Sequence, residues 1–504
     1  MSRLSRKEWN FQVAEGVAAH DVFEAALGSL ENCALVLPDG SALHVKPGGP
    51  ADVATLPLAA SLCHKYLKLG DGDVALTNDP FSGGTTLSSF TLVTGIRFAA
   101  DGRREADVLL ACRMDFPMRF GPNSKLDEEG VRVPPTPLAA AGQLNRDLLG
   151  AIASHPLAPK TLATVIENTM VGAGKVAAAL KRLARDPSSE INKMTPKKYF
   201  AESGRAFENL MHKLPLGTSL VSTQLPTGET IKLQLKITEK RLIFDFAGTE
   251  ASQTIALTDV ATFGACMAVT SAIFNEPGLY DAGSYSYFQV TTPARTLVSS
   301  APPVGTVRGM TQGLAVICDL IVQAFTKLTP SLKQAQSHGA NGLIALEFED
   351  GTYWGTAVAP GTGGAGAHTG VDAYARWGSK TFRTLSLEEA ERAAPIMIVS
   401  AGIRANSGGN GQNRGGNGSQ ISLKVLKPGT ARWIWGAGAF RQDGTESGRS
   451  GAAASVTVTR ASEAREDFDK AEGSVKLEAG DSISFFAPGG GGWGAPKDAD
   501  DEKE

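Results

Sequence analysis

Apolar and polar positions along the chain alternate between helical spacing and short apolar runs bounded by turn residues. Apolar residues at helical spacing predict helices over 11–30, 56–69, 158–185, 198–214, 261–274 and 310–328. Short apolar runs predict strands at 34–37, 74–76, 96–98, 108–112, 231–237 and 242–244, and a hairpin over 341–358. After about residue 400 the pattern changes to short strands separated by glycine-rich turns. This mixture predicts an α+β fold with several domains and a β-rich, Gly-rich C-terminal module.

The predicted elements divide the chain into four segments. A length of 504 residues allows two to four domains, each with its own core. We expect an N-terminal α+β domain over 1–215, a central α+β domain over 216–400 and a β-rich module over 401–496. The last segment, 497–504, is short and acidic, and we expect it to be disordered.

Composition narrows the class of protein. Apolar residues make up 42% of the chain and charged residues 20%, with a net charge of −3, which argues against a nucleic-acid partner. The five cysteines are scattered without a CxxC pair, so we expect a reducing cytoplasm rather than a disulfide framework. The N-terminus has no secretory signal pattern, and we expect no membrane-spanning segment.

The most distinctive segment is the loop 77–90, with the sequence TNDPFSGGTTLSSF. It follows a predicted buried strand, and its two adjacent glycines allow a close backbone approach, as in a binding site or in an ordinary tight turn. A hairpin with its turn at 100–102 would bring residues 113–115 back beside this loop. Asp79 and Asp115 are therefore the candidate catalytic carboxylates, although Asp79 could simply cap the turn and Asp115 could be an ordinary loop acid.

Other candidate residues carry weaker signals. None of the seven histidines belongs to an HExxH motif. His338, just before a predicted strand, is the best candidate for general acid–base catalysis, and His368 is the second. The glycine clusters at 408–418 and 489–494 could hold an anion or could form tight turns, and neither is a Walker nucleotide motif.

Five blocks in order resemble the hydantoinase B/5-oxoprolinase family. They are TNDPFSGGTTLSS from residue 77, EGVRVPP at 129–135, DFAGT at 245–249, SGGNGQNRGGNG at 407–418 and PGGGGWG at 488–494. The family's corresponding patterns are TNDPYxGGTHLxD, EGxxIPP, DFxGT, SGGxGxxRGGxG and PGGGGYG. Together the blocks extend from about residue 70 to the end of the chain.

The chain departs from the family at positions that hold a metal in some relatives. Thr86 and Ser89 stand where those relatives have His and Asp ligands, and Arg113 stands where a further His is expected, so only Asp115 remains. Hydroxyls are poor ligands for a divalent ion. We therefore expect no metal bound by this chain. Arg113 could replace the metal as a positive charge that pairs with Asp79 or Asp115, or it could form a plain salt bridge.

The resemblance implies a B-type subunit that works with an ATP-binding, hydantoinase A-like partner in a hetero-oligomer. Such pairs open 5-oxoproline, hydantoin or lactam rings at the expense of ATP, which we expect to bind to the partner. One alternative is a non-catalytic scaffold or regulatory paralogue that keeps the fold and the partner surface. Another alternative is a subunit resembling those of ketone carboxylases. The residues that we expect to bind the substrate are Asn78, Gly83, Gly84, Thr86 and Ser89, beside the catalytic candidates Asp79, Arg113, Asp115 and His338.

Overall fold

The computed structural model describes residues 14–98, 104–120, 125–186, 189, 195–225, 228–274, 280–329, 342–358, 387–435, 444 and 446–496. Over these residues the chain forms helices and several β-sheets, so the predicted α+β class is confirmed. The acidic segment 497–504 lies outside the described residues.

A seven-stranded antiparallel sheet organises the N-terminal part, in the order β2-β1-β5-β4-β3-β6-β7. Its strands are β1 (Cys33–Val36), β2 (Ala42–Lys46), β3 (Val74–Thr77), β4 (Ser89–Ile96), β5 (Val108–Asp115), β6 (Thr136–Ala140) and β7 (Gln143–Leu144). The helices of this part are α1 (Ala14–Leu27), α2 (Asp52–Leu67), α3 (Arg146–Ala153), α4 (Leu162–Arg185) and α5 (Pro196–Met211).

Helices α2 and α4 cover opposite faces of this sheet. Ala34 and Leu109 pack with α2, whereas their strand neighbours Leu35 and Leu110 pack with α4. Because successive side chains of a strand point to opposite faces, the central strands must be apolar throughout. This explains why the strand runs were recognisable in the sequence, while β2, which contains His44 and Lys46, was not predicted.

The central part contains a four-stranded sheet in the order β11-β10-β9-β8, in which β10 and β11 are parallel. The strands are β8 (Gly217–Gln224), β9 (Thr230–Ile237), β10 (Leu242–Asp245) and β11 (Phe288–Thr291), and the helices are α6 (Asp259–Phe274) and α7 (Ala282–Tyr285). A longer helix begins with a π-helical turn, Gly309–Gly313, and continues as α8 (Leu314–Leu328). Its length and hydropathy would suffice to cross a membrane, but 83% of its apolar window is buried inside the protein, as in a core helix.

The C-terminal part contains two sheets, in the orders β13-β12-β16-β19 and β14-β15-β20-β17-β18. Its elements are β12 (Gly342–Phe348), β13 (Tyr353–Val358), α9 (Leu387–Ala393), β14 (Ile396–Ile403), β15 (Ser419–Val425), β16 (Gly429–Ile434), β17 (Ser455–Thr459), β18 (Arg465–Phe468), β19 (Glu472–Leu477) and β20 (Ser482–Phe486). The predicted hairpin over 341–358 is confirmed, and its strand β12 pairs with β16. The predicted boundary between the central domain and the C-terminal module, at residue 400, falls within this group of strands. The domain limits stay a prediction.

Strands β4 and β5 pair as the predicted hairpin. The register joins Ile96 to Val108 at one end and Ser89 to Asp115 at the other. The exit of β5 therefore lies directly beside the end of the loop that precedes β4, which confirms the spatial expectation from the sequence.

Candidate functional site

Asp79 organises the beginning of the loop between β3 and β4. Its carboxylate accepts hydrogen bonds from the Phe81 amide at 3.1 Å and from the Ser82 hydroxyl at 3.0 Å. The Arg132 guanidinium also donates to both carboxylate oxygens, from Nε at 3.1 Å and from Nη2 at 3.0 Å. Asp79 thus caps the short 3₁₀ turn at Pro80–Ser82 and pairs with Arg132, so the expected pairing with Arg113 is wrong.

Asn78 ties this loop to the neighbouring segment. Its amide nitrogen donates to the carbonyls of Leu87 and Val131 at 2.8 and 2.7 Å, and its amide oxygen accepts from the Val133 amide at 2.7 Å. Both amide hydrogens are therefore used within the protein. Asn78 therefore holds the loop in place, and its expected contact with the substrate stays a prediction.

The two glycines approach protein backbone. A Cβ atom on Gly83 would lie 2.2 Å from the amide nitrogen of Ala59 in α2, and one on Gly84 would lie 2.5 Å from the carbonyl oxygen of Asn78. Gly83 also has a φ of +86°, which disfavours any other residue. The close backbone approach predicted from the sequence is thus present: Gly83 approaches helix α2, and Gly84 approaches the backbone of its own loop.

Arg113 lies inside the protein and is bound on all sides. It forms an ion pair with Asp52 at the start of α2, and its Nη1 also donates to Thr55 Oγ1 at 2.8 Å. Its Nη2 donates to the Gly83 carbonyl at 2.6 Å, and its Nε donates to Thr91 Oγ1 at 3.1 Å. Neither Asp79 nor Asp115 is its partner, so the predicted pairing is corrected. Helix α2, which precedes both candidate carboxylates in the sequence, places its Asp52 against the guanidinium instead.

Asp115 belongs to a chain of hydrogen bonds that starts in the loop. The Thr86 and Ser89 hydroxyl oxygens are 3.2 Å apart, and the Ser89 hydroxyl donates to Asp115 Oδ1 at 2.7 Å. The Asn32 amide donates to Asp115 Oδ2 at 3.1 Å. Burial, helped by the nearby charge of Asp52, raises the pKa of Asp115 to about 6. The predicted residues Thr86, Ser89 and Asp115 are therefore together in one cluster.

Asn32 and Asp52, the partners of Asp115 and Arg113, were not predicted from the sequence. Asn32 has a left-handed backbone with a φ of +50°, and its side chain also accepts from the Gly48 amide at 3.1 Å. Its carbonyl accepts from the Arg113 amide at 2.8 Å. No local signal in the sequence marks Asn32, because only the pairing of β1 with β5 in the folded sheet places the residue before Cys33 beside the exit of β5.

The donor set of this cluster does not fit a divalent metal ion. It offers two hydroxyls, one amide and one carboxylate, and neutral hydroxyls and amides are poor ligands for such an ion. Arg113, a permanent cation, occupies the next position but one along β5. Among the residues that the structure describes, no group of three or more His, Cys, Asp or Glu side chains could hold a metal ion.

Glu129 is a second buried carboxylate that the sequence analysis did not select. Its oxygens accept from the backbone amides of Thr306 and Val307 at 2.9 and 3.0 Å, at the start of the long central helix. Burial raises the pKa of Glu129 to about 8. The signal available in the sequence was its position at the head of the EGVRVPP block.

The remaining candidates are two histidines and the two glycine clusters. His338 and His368 lie outside the described residues, so their roles stay predictions. The two glycine clusters pack against each other: the Gly409 amide donates to the Gly490 carbonyl and the Gly490 amide to the Gly416 carbonyl, at 2.9 and 3.0 Å. These bonds favour the tight-turn interpretation over an anion site.

Comparison with known sequences gives a consistent family match. The model of the hydantoinase B/oxoprolinase family matches residues 31–496. An uncharacterized protein of Methanocaldococcus jannaschii is 24% identical over 492 residues, covering 93% of this chain and 85% of that protein. 5-Oxoprolinase 1 of Arabidopsis thaliana is 23% identical over 505 residues, covering 92% of this chain and 39% of the relative. The chain thus spans about two fifths of the length of that relative.

Comparison with solved structures identifies the same fold. The ATP-dependent caprolactamase from Pseudomonas jessenii has a TM-score of 0.76 at 17% identity, covering 98% of this chain and 92% of that chain. The nucleotide-free structure of acetone carboxylase has a TM-score of 0.75 at 15% identity, covering 97% and 75%. At these identities the likeness establishes a shared fold.

Proposed function

Because this chain belongs to the hydantoinase B/oxoprolinase family, we propose that it is the B-type subunit of an ATP-dependent cyclic-amide hydrolase. Its substrate would be 5-oxoproline, hydantoin or a lactam. The family match, the 5-oxoprolinase relatives and the fold shared with a caprolactamase support this proposal. An ATP-binding partner of the A type would complete a hetero-oligomer. The five cysteines are all buried and unpaired, which is compatible with a cytoplasmic location.

The chemistry explains why two subunits are needed. An amide carbonyl in an unstrained ring is a poor electrophile, and phosphoryl transfer to its oxygen by the partner converts that oxygen into a good leaving group. Water then attacks the activated carbon to give a tetrahedral intermediate, and the ring C–N bond breaks as the ring nitrogen takes up a proton. The acyl phosphate that remains is hydrolysed by a second water to the open-chain acid and phosphate. The B-type subunit has to position the ring and accept the proton of the attacking water.

Asp115 carries this proposal, because it is the carboxylate best suited to accept that proton. Ser89 and Asn32 fix its two oxygens at 2.7 and 3.1 Å, and each oxygen retains further lone-pair capacity. A pKa of about 6 leaves Asp115 ionised at neutral pH while making it more basic than an ordinary aspartate. Thr86 would extend the hydrogen-bonded chain through Ser89, and no step requires a metal ion.

Arg113 acts in this scheme as a positioning residue. Its donors are directed to Asp52, Thr55, Gly83 and Thr91, so it joins α2, the loop and the β4–β5 hairpin. Its charge is paired with Asp52, as in the plain salt bridge that was the alternative expectation, so it holds these elements together and is not free to face the substrate.

The test is co-purification with the ATP-binding partner, followed by ATP turnover with 5-oxoproline, hydantoin and a simple lactam. We expect turnover that depends on one of these rings, and a loss of about 100-fold or more in Asp115→Asn. Asp127→Asn, which changes an exposed acid in the loop before Glu129, is the matched control and should retain turnover. Ring-independent ATP hydrolysis would overturn the proposed activity. Stoichiometric manganese, zinc or iron in the same sample would overturn the metal-free assignment.

A non-catalytic paralogue is the second candidate, and the cluster itself favours it in one respect. Thr86 and Ser89 supply neutral hydroxyls at positions where the family resemblance implies metal ligands, and the charge of Arg113 is paired with Asp52. This candidate predicts a stable complex with the partner and no ring-dependent turnover. A ketone-carboxylase-like reaction is the third candidate, supported by fold alone, and bicarbonate-dependent consumption of a ketone would identify it.

A further inference from the structure

A cavity of about 700 Å³ lies on the outer face of the five-stranded C-terminal sheet. The inner face of this sheet packs in a hydrophobic core, where Val456 and Phe485 are buried. Because successive side chains of a strand alternate between the two faces, their neighbours Ser455 and Phe486 point outwards and line the cavity. The described residues that line it all come from the C-terminal part, so it is separate from the cluster around Asp115. Its volume is that of a small-molecule site.

Arg404 lies over the floor of this cavity. Its Nη1 donates to the carbonyls of Ala453 and Ala487 at 2.6 and 2.9 Å, and its Cζ lies 5.6 Å from the centre of the Phe486 ring. These contacts hold the guanidinium over β20. Among the residues that the structure describes, no carboxylate pairs with it, and its Nε and Nη2 have no acceptor. Burial lowers the pKa of Arg404, as expected for a cation held partly out of water without a countercharge.

Two acids stand on the opposite wall of the cavity. Asp467 lies on β18 and Asp469 follows just after that strand. Asp467 is already paired, since Arg465 donates to it at 3.0 and 3.1 Å and Thr457 Oγ1 donates to it at 2.6 Å. Asp469 is exposed, and within the described part of the chain no hydrogen bond or ion pair engages its carboxylate. Asp469 is therefore the negative charge that is available to a ligand.

The sheet sets the spacing between the two available charges. Strand β17 separates β20 from β18, and its Ser455 is the register partner of Phe486. Neighbouring strands lie about 4.8 Å apart, so the guanidinium over Phe486 and the wall with Asp469 are on the order of 10 Å apart. The floor between them consists of the Phe486 ring and the small side chains of Ser455 and Thr457. A ligand that reaches both charges must therefore be elongated and narrow.

We propose that this cavity binds an ω-amino acid, with its carboxylate on Arg404 and its ammonium group on Asp469. The Nε–H and Nη2–H groups of Arg404 lie on one edge of the guanidinium, which is the edge that binds a carboxylate through two parallel hydrogen bonds. Hydrolysis of an unsubstituted lactam releases such a molecule, because the broken C–N bond leaves a carboxylate and an amine at the two ends of the former ring.

This inference rests on the proposed function, since it names the product of lactam hydrolysis as the ligand. It also separates the lactams from 5-oxoproline, whose hydrolysis gives glutamate. Glutamate carries a second carboxylate, and that group would be directed towards the acidic wall formed by Asp467 and Asp469. Like charges at close range repel, so glutamate is a poor match for this cavity.

Calorimetry with the full chain provides the test. The probes are 6-aminohexanoate, hexanoate, hexylammonium and L-glutamate, at constant ionic strength. We expect 6-aminohexanoate to bind about tenfold or more tightly than hexylammonium, which has no carboxylate for Arg404. Its advantage over hexanoate should be smaller, about threefold, because an exposed ion pair contributes less. Glutamate should bind more weakly than 6-aminohexanoate.

A variant of the acidic wall makes the test specific. Asp469→Asn should lose the preference for 6-aminohexanoate over hexanoate. Glu463→Gln changes an exposed acid between β17 and β18 that does not line the cavity, and this matched control should keep the preference. The comparison of probes needs only the wild type, so it remains decisive if a variant fails to fold.

Several results would overturn the proposal: equal affinity for the probes, no binding of any of them, or tighter binding of glutamate. A preference that survives in Asp469→Asn would overturn it as well. Lactam-dependent ATP turnover with the partner is measured separately. Turnover without binding of 6-aminohexanoate would leave the proposed function standing while removing this site, and binding without turnover would do the reverse.

Discussion

Replacing Arg113 with methionine removes a charge from a pair that water does not reach. The Arg113 and Asp52 side chains are 0% and 3% exposed. In Arg113→Met, Asp52 remains as a buried carboxylate without a countercharge. Thr55, Gly83 and Thr91 also lose the donors that the guanidinium supplied. We therefore expect a large loss of stability, concentrated where α2 meets the β4–β5 hairpin.

The size of this loss follows from burial. Removing one partner of a buried ion pair costs about 3–5 kcal/mol. An exposed ion pair contributes about 1 kcal/mol or less. Arg146 and Glu167 form such a pair at 2.7 Å, with side chains 76% and 43% exposed. Arg146→Met is therefore the matched control, and we expect it to change the free energy of unfolding by less than about 1 kcal/mol.

Hydrogen exchange at the amides of β4 and β5 is the appropriate assay. The described tryptophans, at 354, 433, 435 and 493, all lie in the C-terminal part, so fluorescence would report on the wrong region. We expect the free energy of opening in β4 and β5 to fall by about 3–5 kcal/mol in Arg113→Met.

A pH series and a double variant strengthen the test. Burial raises the pKa of Asp52, and Arg113 opposes that rise, so removing Arg113 should raise the pKa of Asp52 further. Protonation of Asp52 then relieves the unpaired charge, and the loss of stability should shrink as the pH falls. Asp52→Asn combined with Arg113→Met should recover part of the loss at neutral pH. Equal, small losses of stability in Arg113→Met and Arg146→Met would refute the argument that burial makes the Arg113–Asp52 pair important for stability.

Three further predictions concern other positions. Ring-dependent turnover in the wild type should rise as the pH passes through about 6, because only the ionised form of Asp115 accepts a proton, and a flat pH–rate profile would contradict its role. Glu129 in the folded state retains a proton between pH about 5 and 8 that the unfolded state has released, so wild-type stability should fall as pH rises through this window. Thermal unfolding at both ends of the window should show this slope in the wild type and not in Glu129→Gln. Gly83→Ala should destabilise the protein by more than about 3 kcal/mol, because its Cβ would lie 2.2 Å from Ala59, whereas Gly142→Ala, at a φ of +82° with open space around it, should cost about 1 kcal/mol in denaturant unfolding.

The hairpin that builds the site was predictable, because its signals are local. A turn sequence at 100–102 between two apolar runs specifies antiparallel pairing, and pairing then places Asp115 beside Ser89. The same local logic found the glycines at 83 and 84 and the need for a close approach.

The partners of Arg113 and Asp115 were not predictable from such local signals. Asp52 comes from a helix and Asn32 from the start of a separate strand, and only the packing of the sheet decides that they meet Arg113 and Asp115. The expected partners of Arg113, Asp79 and Asp115, were chosen because the predicted hairpin brings them close to it.

The two interlocked glycine loops, 407–418 and 488–494, have a consequence for how this region can change. A Cβ on Gly489 would lie 1.8 Å from the Ser407 carbonyl, and one on Gly415 would lie 2.1 Å from the Gly490 carbonyl. Each loop thus packs tightly against the backbone of the other, although the two are distant along the chain. A side chain larger than glycine in one loop would require a compensating change in the backbone of the other. We therefore expect the sequences of both loops to change little in evolution, whereas the sequences of the surrounding strands diversify.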